Sequence, residues 1–275
     1  MRDKLISVIC TVRNGEKTIT QTILSVINQT YHNWEFIIID DGSNDSTKSI
    51  LEEFAGHDKR VKPLFTEGIG RGNALNLAIQ SSNGDYIANI DADDLMHPKR
   101  LRVQLDILLE NKDAFLVCSN AIIIYNNESV IWEEHGIEKN EDGIETISEN
   151  LLIKNKISHS SVMINKQQLI DIGYYDHSLK SQFDYELWLR ALANKRTMIK
   201  VPYNLIAKRI HENQSFENKK RIIYLLRSQK LQIKYALRMK RKVFIVLIIT
   251  PLRILLGFLP FQLRRKINSV IQKLV

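Results

Sequence analysis

Cysteine is scarce: two in 275 residues, Cys10 and Cys118. Two isolated thiols make neither a disulfide framework nor a zinc-binding cluster, so both of those classes are excluded. Cys10 lies within an apolar run and reads as a small core residue, and the pair fits a reducing compartment facing the cytosol. The sequence also lacks an internal repeat, a low-complexity tract and a clear inter-domain linker. No signal peptide is expected, because the first apolar segment, Leu5-Ile6-Ser7-Val8-Ile9-Cys10, reads as a β-strand. Most telling is the lack of acid near the C-terminus. From Asn218 to Val275 there are 15 Lys and Arg and no Asp or Glu. Residues 1–217 then carry 24 basic against 31 acidic residues, a net of −7 beneath the overall +8.

A basic tail on an acidic body attracts nucleic acid or anionic membrane. Here the basic residues bracket an apolar run, Val243 to Pro260, broken only by Thr250, Pro251, Arg253 and Gly257. That greasiness favours membrane over nucleic acid. The run is at the short limit for a spanning helix, roughly 18 residues. Pro251 and Arg253 near its middle point to an interfacial or re-entrant anchor. Upstream, Ile222, Leu225, Leu226, Ile233, Ala236 and Leu237 line one helical face, with Arg221, Arg227, Lys230, Lys234, Arg238 and Arg241 elsewhere. This helix either packs on the body or meets lipid. The clusters Arg238–Lys242 and Arg264–Lys266 would sit against anionic headgroups.

The body begins with alternating strand and helix signals. Strand Ile6–Cys10 leads to a helix from about Lys17 to Gln29. Strand Trp34–Ile39 leads to a helix from about Ser46 to His57. A short strand near Val61–Phe65 reaches the Gly-rich stretch Gly68–Gly72. A helix over about Asn73–Ser81 precedes strand Tyr86–Ile90. This order predicts an α/β fold with a mostly parallel sheet flanked by helices. Such sheets bind ligands at the carboxyl ends of their strands. Three polar clusters fall at those ends: Thr11–Asn14, Asp40–Asp41 and Asp91–Asp94.

The last cluster carries the chemistry. An apolar strand runs into Asp91-Ala92-Asp93-Asp94, and desolvating bare carboxylates is costly. Spaced as Asp-x-Asp, they offer hard oxygen ligands to Mg²⁺ or Mn²⁺, which in turn grip phosphates. The alternative is an Asp-rich turn that caps the next helix. Downstream, a helix is expected over Pro98–Asn111, strands near Phe115–Tyr125 and Val130–Glu133, and a loop over Glu138–Glu149. A strand-like segment follows at Ile157–Ile164, then a helix over Lys166–Ile172 ending at Gly173. Phe183–Arg190 opens another helix.

Several segments together resemble a known family: Ser7-Val8-Ile9 with Asn14-Gly15-Glu16, Ile38–Ser46 with Asp40-Asp41-Gly42-Ser43, Gly84-Asp85-Tyr86-Ile87 with Asp91–Asp94, Asp184–Arg190, and Arg209–Asn213. Over roughly residues 5–215 the chain is similar to the inverting glycosyltransferases of family 2, which have the GT-A fold, a Rossmann-like sheet. The resemblance implies that Thr11 and Asp41 hold the nucleotide base. Arg13 stands where the family often has Tyr, and a guanidinium there can stack or reach phosphate. Asn14 and Arg71 fall on the donor side. Gly70 and Gly72 either let backbone approach the donor or belong to a surface loop. Asp91 and Asp93 match the metal motif, with Asp94 in support, and Asp91 also counts among the donor contacts. Asp184 matches the catalytic base, although Phe183 replaces the acidic residue that usually precedes it. Glu186 is a rival base. Trp188 is either a sugar platform or core. Arg209 and His211 resemble a motif that closes over the diphosphate. His159 and Ser160 match a recurrent acceptor-side segment with no assigned role.

The expected organisation is a nucleotide-sugar-binding half over 1–100, an acceptor and catalytic-base half over 101–217, and a membrane-associating helical tail over 218–275. The expected activity is metal-dependent, inverting transfer from a nucleotide sugar, a UDP-sugar by preference, to a lipid-linked saccharide at the cytoplasmic face of the cell membrane. The expected pathway is cell-surface polysaccharide or glycolipid synthesis. A nucleotidyltransferase is the rival enzyme class, but Arg13–Lys17 is too short for a triphosphate-binding loop. A nucleic-acid binder is the third reading, and the net-acidic body argues against it.

Overall fold

The computed structural model describes residues 4–125, 128, 130–132, 143–210, 221–248 and 252. These fall into two compact units. One lies within Met1–Ile147 and Lys156–His211, the other within Ser148–Asn155 and Glu212–Val275.

The first unit opens with β1 (Ile6–Val12), α1 (Ile19–Ile27), β2 (Trp34–Asp41), α2 (Thr47–His57), β3 (Val61–Thr66), α3 (Arg71–Gln80) and β4 (Tyr86–Asn89). β3, β2, β1 and β4 lie side by side in that order, all parallel. Ile6, Val8 and Cys10 of β1 and Trp34, Phe36 and Ile38 of β2 join one apolar cluster with Ile19, Ile23 and Val26 of α1. The intervening Ile9, Ile37 and Ile39 are equally buried. Burial on both faces is why these strands read as unbroken apolar runs and not as alternating ones. It also leaves the strands' carboxyl ends as the place where polar side chains can gather.

The unit continues with β5 (Leu95–Met96), α4 (Arg100–Glu110), β6 (Ala114–Tyr125), β7 (Glu145–Thr146), β8 (Met163–Asn165), α5 (Lys166–Asp171), α6 (Phe183–Ala193) and β9 (Thr197–Ile210). β8 pairs antiparallel with β4 and β6, and β6 runs parallel to β9. β5 and β7 pair antiparallel along β9. The sheet is therefore mixed beyond β4. β9 has no counterpart in the sequence reading: Pro202 interrupts its pattern, and the pairing with β6 shifts register there, between Ser119–Val201 and Asn120–Asn204. A bulge is where a strand tolerates proline. The expected strand over 157–164 is instead a 3₁₀ turn at His159–Ser161 followed by β8. Ser161 Oγ donates to the Ser158 carbonyl at 2.9 Å, a local bond that competes with a strand ladder. Val130–Trp132 is not strand, and Glu133 lies outside the described residues.

In the second unit, a 3₁₀ turn (Glu149–Leu152) accompanies α7 (Arg221–Met239). Gln232 Nε2 donates to the Ile153 carbonyl at 3.0 Å, Arg241 pairs with Glu149 at 3.4 Å, and Lys242 Nζ donates to Asn150. Leu231, Tyr235 and Ala236 are buried, whereas Leu226 and Leu237 are exposed. The apolar face is thus rotated from the expected one, with Leu231 and Tyr235 replacing Leu226 and Leu237. Phe244, Leu247 and Ile248 are exposed as well. Among the described residues, no helix is long and apolar enough to cross a membrane. The expected Arg264–Lys266 cluster lies outside the described residues.

Candidate active site

The first two strand-end loops are zipped together. Asn14, in the left-handed region at φ 55°, donates its N–H to Ser43 Oγ and accepts from the Asn44 N–H, both at 2.8 Å. The Gly15 N–H donates to Thr47 Oγ1 at 2.8 Å. A Cβ on Gly15 would stand 2.4 Å from Val12 Cγ2, so only glycine fits this turn. Asp41 is buried at the end of β2. Its carboxylate accepts from Thr66 Oγ1 at 2.8 Å and from the N–H groups of Ile69 at 2.7 Å and Gly70 at 2.9 Å. Asp41 therefore shapes the Gly-rich loop that precedes α3. Gly42 and Gly68 approach closely, since a Cβ on Gly42 would lie 3.1 Å from the Gly68 nitrogen. Arg13 is exposed and its guanidinium lies beside Gly68. Thr11 is half-buried on β1. These residues gather at the carboxyl ends of β1 and β2.

The acidic cluster follows the end of β4, the neighbour of β1. Arg71, in the first turn of α3, makes an ion pair with Asp91 Oδ1, and His159 Nδ1 reaches the same oxygen at 3.2 Å. Burial alone would raise the Asp91 carboxyl, but Arg71 and His159 outweigh it and hold it well below the usual range. Asp94 is different. Burial, and then the charges of Asp91 and Asp93, push its carboxyl up to about 8. It accepts from the Ser160 hydroxyl at 2.5 Å and the Arg209 N–H at 3.0 Å. Arg209 also donates from Nε to the Asp93 carbonyl at 3.0 Å and from Nη2 to Gln21 at 2.6 Å. Arg209 is 2% exposed and braces the acidic loop from behind. Below it, buried Arg100 donates to the carbonyls of Asn89 and Val162, each at 3.0 Å. Burial lowers the Arg100 guanidinium to about 9.

Asp184 sits in the first turn of α6, half-buried. Its charge, after that of Asp91, helps raise Arg71. Among the described residues its carboxylate accepts no hydrogen bond, unlike those of Asp91 and Asp94. Glu186, 3% exposed, is committed to Arg190, which donates to it at 3.0 Å. Arg190 in turn donates to the carbonyls of Ile172 at 2.5 Å, Gly173, and Tyr174 at 2.6 Å. Trp188 is fully buried and belongs to the core. Phe183 takes part in a different set: its ring lies under the Arg71 guanidinium at 5.7 Å and edge-on to Tyr175 and His159.

Arg71, Asp91, His159 and Asp184 are thus brought together, and Asp93 lies beside them. His211 lies outside the described residues. Tyr175 and Asn89 went unremarked in the sequence. Asn89 carried a signal, a polar residue inside the apolar strand Tyr86–Ile90, whereas Tyr175 carried none. Among the described residues, no three or more His, Cys, Asp or Glu side chains converge into a complete metal cage. Two hard carboxylates at a strand end fit instead an ion whose shell is completed by substrate phosphates and water. An apolar groove of about 350 Å³, lined in part by Leu24, Met96, Val130 and Trp132, holds none of these carboxylates.

Comparison with known proteins bears on this arrangement. The sequence profile of glycosyl transferase family 2 matches residues 7–171. An uncharacterized glycosyltransferase of Methanocaldococcus jannaschii is 30% identical over 241 residues, covering 86% of this chain and 80% of that protein. A second, from Rickettsia typhi, is 30% identical over 213 residues, covering 77% and 65%. The Escherichia coli UDP-Glc:alpha-D-GlcNAc-diphosphoundecaprenol beta-1,3-glucosyltransferase WfgD is 38% identical over 117 residues, covering 42% and 46%. The chain thus spans less than two thirds of the Rickettsia protein and about half of WfgD. Among solved structures, S. aureus TarS 1–349 in complex with UDP superposes with a TM-score of 0.61 at 19% identity, over 84% of this chain and 65% of that one. The mannosyltransferase PcManGT from Pyrobaculum calidifontis, with GDP-Man and Mn²⁺, gives 0.61 at 15% identity, over 84% and 62%. The fold is that of the GT-A glycosyltransferases.

Proposed function

The chain belongs to glycosyl transferase family 2, and on that premise we propose that it moves a sugar from a nucleotide-sugar donor to a hydroxyl of a saccharide acceptor, with inversion at the anomeric carbon. The observation that carries this reading is the position of Asp184. Among the described residues its carboxylate accepts no hydrogen bond, and its charge acts on the Arg71 guanidinium together with that of Asp91.

Thr11, Arg13, Asn14 and Asp41, at the ends of β1 and β2, receive the nucleotide. Arg71, with His211 on the ground of resemblance, takes the diphosphate. Asp91 and Asp93 would hold Mg²⁺ or Mn²⁺, which when bound supplies Lewis-acid neutralisation of charge on the departing nucleoside diphosphate. Asp184 takes the proton of the acceptor hydroxyl as that oxygen attacks the anomeric carbon from the side opposite the departing group. Arg71 favours the charge that grows on the diphosphate oxygens. Glu186 is unsuited to the base role because Arg190 already occupies it.

A UDP-sugar is the preferred donor. TarS is solved in complex with UDP and with UDP-GlcNAc and WfgD is named for UDP-Glc, while PcManGT holds GDP-Man. A lipid-linked acceptor is supported by the name of WfgD and by the second unit. That unit exposes Phe244, Leu247 and Ile248 beside Arg238, Lys240, Arg241 and Lys242, the pattern of an interfacial anchor on anionic lipid. The enzyme then works at the cytoplasmic face of the membrane in surface polysaccharide or glycolipid synthesis. The test is a thermal-shift and donor-hydrolysis screen of UDP-, GDP- and dTDP-sugars with Mn²⁺ and with chelator. A response to a UDP-sugar that needs the metal is expected, and no response to any nucleotide sugar overturns the proposal.

A further inference from the structure

His159 is built into the molecule more firmly than its segment's unassigned status in the sequence implies. Its side chain is 9% exposed, and the ring is boxed edge-on by Tyr175 at 5.7 Å and Phe183 at 6.3 Å. Asn89 Nδ2 lies 2.8 Å from His159 Nε2 and 2.7 Å from the Tyr175 hydroxyl, one amide hydrogen for each. The Tyr175 hydroxyl is also 3.1 Å from Nε2. Tyr175 is itself pinned: its N–H donates to Asn76 Oδ1 at 3.0 Å and its carbonyl accepts from Asn76 Nδ2 at 2.9 Å.

This arrangement selects a tautomer. An amide N–H₂ can only donate, so Nε2 accepts and the ring proton sits on Nδ1, facing Asp91 Oδ1. The reverse orientation of the Asn89 amide would place the proton on Nε2 and turn a bare Nδ1 lone pair toward a carboxylate. Only the first arrangement makes both contacts attractive for a neutral ring. The two partners of Asp91 then differ in kind. Arg71 is a long side chain, 48% exposed; His159 is buried and cannot move without breaking its box.

Resting on the glycosyltransferase reading, we propose that His159 is a positioning residue that keeps the Asp91 carboxylate aimed when Arg71 transfers to the donor diphosphate, with Asn89 and Tyr175 setting its tautomer. Partners of this kind typically govern about 10–100-fold in metal affinity or activity.

The test combines substitutions at His159 with a spectroscopic readout. In His159→Ala, the KM for donor and the Mn²⁺ concentration for half-activation rise about tenfold, while kcat changes less. His159→Asn, whose amide nitrogen stands where Nδ1 was, restores most of the loss. His159→Gln, whose nitrogen stands nearer the Nε2 position, does not. Tyr175→Phe keeps the ring and loses the hydroxyl, and gives a smaller effect of the same kind with a melting temperature lowered by only about 2–4 °C. Equal impairment by Ala and Asn, or unchanged donor KM in both, overturns the inference. Nitrogen-15 spectra of the histidine ring test it without activity: a protonated Nδ1 is expected, and a proton on Nε2 alone overturns it. A wild-type protein that binds no nucleotide sugar but shows the Nδ1 proton refutes the glycosyltransferase reading while leaving the His159–Asp91 contact standing.

Discussion

Arg190→Ala tests whether Glu186, two residues after the proposed base Asp184, belongs to a structural ion pair. Arg190 spends its donors on Glu186 and on three successive carbonyls at 172–174, the turn that delivers Tyr175. The two side chains are 15% and 4% exposed, so the pair is largely out of water. Deleting the guanidinium strands a buried carboxylate and leaves the carbonyls short of donors, a cost of about 3–5 kcal/mol. At about 2–4 °C per kcal/mol for a chain of this size, the melting temperature falls on the order of 10 °C. Glu186→Gln keeps an acceptor for Arg190 and costs about 1–2 kcal/mol, a few degrees. The double variant loses less than the sum of the singles, because each removes the same contact. Calorimetry on purified protein reads the melting temperatures, and transfer assayed well below them reads activity per folded molecule. Glu186→Gln is expected to retain kcat within about threefold. A fall of less than about 2 °C in Arg190→Ala refutes the structural assignment. Abolished transfer in a fully folded Glu186→Gln makes Glu186 the base and refutes the functional one.

Three further outcomes follow from the same geometry. Glu35 is 4% exposed; burial works to raise its carboxyl, but bonds from Lys62, Ser7 and Asn83 hold it down at about 2. Its stabilisation is therefore present above the ordinary glutamate range and lost as pH falls from about 4.5 to 2, on the order of 3 kcal/mol, so Glu35→Gln flattens that part of a pH–stability curve and an unchanged slope contradicts it. Asp93→Asn weakens UDP-sugar binding about tenfold or more in Mn²⁺ but not in chelator, by calorimetric titration, and equal loss in both counts against a metal role. Phe244→Glu with Ile248→Glu abolishes sedimentation with anionic vesicles while wild-type binding falls with salt, and retained binding removes the second unit from the membrane proposal.

The parallel half of the fold was legible because β1, β2 and β4 are buried on both faces, so apolar runs and strand ends coincide. The acidic strand ends were legible for the same reason, since Asp41 and Asp91 stand where those runs stop. β9 was hidden by Pro202 and the bulge that accommodates it, and β5 and β7 are two residues each. The 3₁₀ turn at His159–Ser161 was hidden because serine hydroxyls bonding locally leave no periodic trace. Tertiary commitments were beyond reach as well. Nothing in the spacing separates Asp184 from Glu186, and only the fold shows Arg190 occupying the second. Nor does spacing show that Arg209 is spent on the Asp93 carbonyl and that Arg71 and His159 share one oxygen of Asp91.

The most direct measurement is sugar transfer by Asp184→Asn, with donor affinity measured on the same preparation. Donor binding stays within about threefold of wild type and kcat falls by about 10²–10⁴-fold, the range for loss of a general base. Undiminished turnover with intact donor binding would contradict the base assignment, because the acceptor's proton would then leave through a group other than Asp184.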